Sequence, residues 1–178
     1  MAMVPVLALV LAASAARARP LSDQEKASLA ATVQGFEAAV RADDHTRVAQ
    51  IMPPKVVDAL ARRIGATSDQ VIAEMTKATQ QMLQEGNTKI ESFRMDLGSA
   101  DHKELAGGAP YVLIPTHTII AAGGERVEER SHALAILDDG KWFLLRIKDE
   151  VQLYILREGY PEFGGVELPS SSIEALNP

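Results

Sequence analysis

The chain has 178 residues, a formal net charge of −6 from 18 basic and 24 acidic residues, and no cysteine. That charge balance, with only 4% aromatic residues, argues against general nucleic-acid binding and against a base-stacking platform. The lack of cysteine excludes disulfides and cysteine-linked lipid anchors, and the length suits one domain with a substantial core.

The first 18 residues read as a signal peptide. Val4 to Ala16 is an apolar run rich in Leu, Val and Ala, followed by the small-x-small sequence Ala16-Arg17-Ala18. No Lys or Arg precedes the run, so the amino terminus alone supplies positive charge there. The run is short for a membrane span, and no longer one follows, so the mature chain carries no expected span. A periplasmic or secreted bacterial protein is expected, with residues 19–178 as one domain: a core over about 21–163 and a tail over 164–178.

Helices come next. Ser22-Asp23-Gln24-Glu25 has the form of a capping box, and Leu29, Val33, Phe36 and Val40 make one helical stripe after it. That helix should end near Arg41 to Asp43. Asp43 or Asp44 would cap a short helix carrying Val48 and Ile51. Pro53-Pro54 opens another, with Val56, Val57, Leu60 and Ile64 on its buried side and Gly65 at its end. Thr67-Ser68-Asp69-Gln70 starts a fourth, carrying Val71, Ile72, Met75, Met82 and Leu83 and closing at Gly86. Met52, Met75 and Met82 are read as core packing before they are read as a ligand cavity.

Thr88 to Leu97 alternates as a strand, and Ser99 to Ala109 reads as a polar loop ended by Pro110. Tyr111 to Ile147 then holds two β-hairpins sharing a middle strand. Their corners are Gly123-Gly124 and Asp138-Asp139-Gly140, residues suited to primed turns. Tight corners set the register: Leu113 opposite Leu134, Tyr111 opposite Ile136, Ile136 opposite Phe143, Leu134 opposite Leu145. One face then carries Tyr111, Leu113, Leu134, Ile136, Phe143, Leu145 and Ile147. The other carries Val112, Ile114, Ala133, Ala135, Leu137, Trp142 and Leu144.

Both faces are apolar, so both should be covered. Helices are expected on the bulky face, and the C-terminal tail or a second subunit on the other. Val112, Ile114, Trp142 and Leu144 are therefore the expected homodimer interface. Past the sheet, a segment opening at Lys148-Asp149-Glu150 reads as a helix ending at Gly159, Tyr160 to Gly165 as turns, and Ser170 to Pro178 as frayed.

The first half of the middle strand, Val127 to His132, is polar on both sides. The register places Glu128, Arg130, His117 and His132 on one face, with Glu128-Glu129-Arg130 otherwise a solvated charge run. No His-x-His or His-Glu-x-x-His spacing occurs, and Arg130 would sit among the ligands, so no metal and no cofactor is expected. Nor is there a nucleophile elbow, a phosphate-binding glycine loop or a cysteine nucleophile.

Helices followed by a curved antiparallel sheet give an α+β, cone-like architecture, which resembles the nuclear transport factor 2-like (cystatin-like) superfamily. The residues that carry the resemblance are Ala39 to Asp44 ending the first helix, Leu113-Ile114-Pro115, and the turn Asp138-Asp139-Gly140-Lys141-Trp142-Phe143. It covers Leu21 to about Phe163. The resemblance implies a pocket between helices and sheet and pairing of two copies through the sheet. It does not choose a function, because such folds host enzymes, carriers and inert domains alike.

The leading expectation is a non-enzymatic exported domain. It would bind a small apolar or amphipathic ligand, or an envelope protein, at Tyr111, His117, Glu128, Arg130 and His132. The alternative is a cofactor-free lyase or isomerase in which His117 or His132 moves the proton and Tyr111 donates a hydrogen bond to developing negative charge.

Overall fold

A computed structural model describes residues 19–147 and 149–176; the expected signal peptide lies outside them. Four helices come first: α1 (Asp23–Arg41), α2 (His45–Gln50), α3 (Pro54–Ile64) and α4 (Ser68–Glu85). Strands β1 (Thr88–Met95), β2 (Asp101–Glu104), β3 (Pro110–Ala122), β4 (Glu125–Asp138) and β5 (Lys141–Arg146) follow. Helix α5 (Glu150–Gly159), a 3-10 turn at Pro161–Phe163 and strand β6 (Ser172–Leu176) complete the order. The class is α+β, with a strongly curled antiparallel sheet forming a half-barrel consistent with a cone-like fold.

The helix boundaries have local causes. Ser22 Oγ accepts from the Glu25 amide while the Glu25 carboxylate accepts from the Ser22 amide, and Thr67 with Gln70 repeats the arrangement at α4. Asp44, rather than Asp43, caps α2. Gly65 ends α3 in the left-handed region. Ile64, expected on the buried side of α3, is exposed instead, as is Met82 on α4.

The hairpin register agrees with the expectation at every pair named above. Gly123 and Gly124 have φ of 59° and 89°, and Asp139 and Gly140 have 48° and 72°, the positive pairs that two-residue primed turns require. Outside the hairpins the sheet departs from expectation twice. Strand β2 forms inside the stretch read as a loop and pairs with Pro110 to Leu113. The tail read as frayed supplies β6, which pairs with Arg126 to Arg130 of β4. Each outer position of the sheet is thus filled by two short strands end to end: β1 and β2 along β3, β5 and β6 along β4.

Both faces are covered, the bulky one by helices as expected and the other by a segment that was not expected. Val112, Ile114, Ala133, Ala135, Trp142 and Leu144 pack under Leu29 and Val33 of α1. Tyr111, Leu113, Leu134, Ile136 and Leu145 pack with Val56 of α3, Leu156 of α5, and Tyr160 and Phe163 just beyond it. The C-terminal segment therefore lies on the bulky face and the first helix on the other. This corrects the expected interface. Relative exposures of 0% for Val112 and Ile114, 4% for Trp142 and 2% for Leu144 leave no free surface there. The cause is α1 itself, held in place by hydrogen bonds from Trp142 Nε1 to the Glu25 carbonyl (2.9 Å) and from the Met95 amide to the Glu37 carboxylate (2.7 Å). Helix α4 makes a further layer, with Val71 packed on Val57 and Ala61 of α3. Among the described residues no helix is long and apolar enough to cross a membrane.

Candidate functional site

The polar half of β4 runs between β3 and β6, and its alternation sends successive side chains to opposite faces. On the face shared with the bulky core, His117 lies opposite Arg130, and Arg94 of β1 lies opposite His117. Glu128 sits two pairs further along, opposite Ile119. His117 Nε2 and a Glu128 carboxylate oxygen share a hydrogen bond, and Arg130 Nη2 donates to both oxygens of Glu128, at 3.1 and 3.3 Å. The His117 hydrogen bond is the largest influence holding the Glu128 carboxyl below its usual range. Partial burial opposes the shift and Arg130 reinforces it.

These side chains border an open cleft of about 410 Å³, completed by Arg94, Asp96, Pro115 and Thr116. Three expected residues therefore converge: His117, Glu128 and Arg130. Two do not join them. His132 lies opposite Pro115, nearer the apolar half, and does not line the cleft. Tyr111 is six residues from His117 along β3, roughly 20 Å at strand spacing. Its ring is buried edge-on to Phe163, with centroids 5.3 Å apart, and burial raises its pKa. Tyr111 is thus a core residue that cannot touch a molecule bound at His117.

Arg94 and Asp96 were not foreseen. The alternation of β1 is legible, but a bulge between Ile90 and Ser92 shifts its register against β3, so counting along the sequence does not place Arg94 beside His117. Asp96 is fixed after the strand ends, where its carboxylate accepts from the Gly98 and Ser99 amides. The Ser99 hydroxyl first, and those amide bonds after it, keep its pKa low against partial desolvation.

The opposite face holds a second polar group. Thr116, Thr118, Glu129 and Ser131 are buried side by side across β3 and β4. Arg146 Nη2 donates to Glu129 at 2.5 Å and to Ser131 at 3.2 Å, and the Thr116 and Ser131 hydroxyls are 2.7 Å apart. Glu129 is therefore no solvated charge; its side chain is 4% exposed. The parity it shares with Ser131 and Ala133 was the available signal. Among the described residues, no group of three or more His, Asp or Glu side chains is arranged to hold a metal ion. No family model matches this chain, and neither a curated protein nor a solved structure matches it.

Proposed function

We propose that this chain is an exported, non-enzymatic binding domain of the nuclear transport factor 2-like type, and that it takes a small amphipathic ligand at the His117 cleft. The observation that carries this reading is the convergence of Arg94, Asp96, His117, Glu128 and Arg130 on one open cleft, while the apolar residues of both faces pack against the chain's own helices. Such a site suits a charged or hydrogen-bonding head group better than a wholly apolar molecule. An envelope protein presenting the same chemistry is the other occupant in keeping with it. A homodimer belongs to this reading only with its contact away from the four residues that α1 covers.

Native mass spectrometry of protein purified from its own cell envelope tests the proposal. It should show a mature chain beginning at Arg19 with a retained small molecule, and that molecule should be lost in Arg130→Ala. A chain that keeps residues 1–18 refutes export. Protein that carries no ligand in either form, and captures none from an envelope extract, refutes ligand binding.

The hydrogen bond between His117 and Glu128 favours one second reading. A carboxylate that holds one ring nitrogen orients the imidazole and leaves Nδ1 to exchange a proton, as an isomerase or lyase needs. Unchanged turnover of an identified substrate in His117→Ala would remove it.

A further inference from the structure

A different cleft, of about 340 Å³, lies where α1 and α2 meet the corner between β4 and β5. Its chemistry is one-sided. Arg47 and Lys141 line it, and no Asp or Glu does so among the described residues, in a chain whose net charge is −6. Neither cation makes an ion pair with a described residue, whereas Arg19, Lys55, Arg63, Arg126 and Arg146 all do.

The backbone adds a donor. The Leu144 amide points away from β4 and donates to the Ile51 carbonyl at 2.9 Å. Alternation along an antiparallel strand turns the Trp142 amide, two residues earlier, to the same outer side, where the cleft lies. The Arg47 guanidinium reaches α1 beside Gly35, where a Cβ would stand 4.0 Å from Nη2, at ordinary contact distance. The rest of the lining is largely apolar, from Ala31, Ile51, Trp142 and Phe143.

We infer that this cleft binds a small organic carboxylate, with the anion on Arg47 and the outward amide of Trp142 and a short hydrocarbon body along Ala31 and Ile51. Lys141 adds positive potential at the mouth. A carboxylate meets a guanidinium and an amide at favourable geometry, and no acidic side chain lines the cleft to compete for them, although Asp44 and Asp138 lie beside the two cations in the chain and the hairpin. The site is separate from the His117 cleft and stands whether or not that one holds a ligand.

Trp142 is the only tryptophan in the sequence, so the emission comes from one indole that touches this wall and the α1 cover above it. Octanoate titrated into the full mature protein at low ionic strength should shift Trp142 emission saturably, and added salt should weaken the effect. Octanol, with the same chain and no charge, should give no saturable shift. Arg47→Gln should weaken octanoate binding at least about tenfold, Arg47→Lys less, and Lys103→Gln, on the far strand β2, not at all. Arg47 is exposed, so its replacement leaves the core intact, and circular dichroism confirms the fold of each variant. Absence of a saturable shift with octanoate, equal binding of octanol, or undiminished binding in Arg47→Gln would each overturn the inference.

Discussion

Glu25 illustrates how one side chain serves several neighbours. It closes the capping box of α1, pairs with Arg19 at 2.7 Å, and its carbonyl receives Trp142 Nε1. Its carboxyl pKa is lowered to about 2, first by the hydrogen bond from Arg19 and then by the Ser22 amide. A carboxyl whose folded pKa lies below its unfolded value stabilises the fold above the unfolded value and loses that contribution as pH falls. Stability due to Glu25 should therefore be full above pH 4.5 and disappear between 4.5 and about 2. Urea titrations across that window should show a shallower acid loss in Glu25→Gln. Ser22→Ala should cost about 1 kcal/mol at neutral pH, since it frees an amide at the helix start.

The buried pair on the other face obeys a different rule. Arg146→Met leaves the Glu129 carboxylate in a site closed to water and should cost about 3 kcal/mol in chemical unfolding. The double replacement by Leu and Met should recover much of that loss, because the buried carboxylate is then removed together with the guanidinium that bonds it.

Among the elements, α3 and α5 meet so closely that the contact depends on one glycine. A Cβ at Gly159 would stand 2.6 Å from the Lys55 carbonyl oxygen, a backbone atom that cannot turn aside. Gly159→Ala should force the end of α5 off the start of α3 and lower stability by about 1–3 kcal/mol, read as a fall in Tm. Strand β6 is at the other extreme. Its side chains are mostly exposed, Ile173 at 68%, and it is held by its ladder to β4. Truncation after Ser171 should strip hydrogen-exchange protection from the outward amides of Arg126 to Arg130, while leaving Ala133 to Asp138, which pair with β5, protected.

For the whole molecule, the covered sheet is the decisive feature. Because α1 lies over Trp142 from within the same chain, diluting the protein should not change the Trp142 emission wavelength. A red shift on dilution would mean that the cover comes from a second copy after all. Truncating α1 in place, as Leu29→Ala, should cost about 2–5 kcal/mol, the usual loss for a buried leucine, and Trp142 should then become more accessible to quenchers.

Local chemistry determined a good part of this protein. The capping boxes, the two primed corners, the register of three strands and the convergence of His117, Glu128 and Arg130 all follow from residues near one another in the chain, where turn geometry and side-chain parity act directly. Tertiary structure decided the rest. A sheet face records that it is apolar but not which segment will cover it. So the cover of the second face by α1, where the C-terminal tail or a second subunit was expected, and the closure of the expected interface had no local signature. Nor could short polar strands such as β2 and β6 be told from loops, because their hydrogen bonds are made to partners already in place. Arg94 and Glu129 became parts of polar clusters for the same reason: a bulge set one register, and burial under distant elements set the environment of the other.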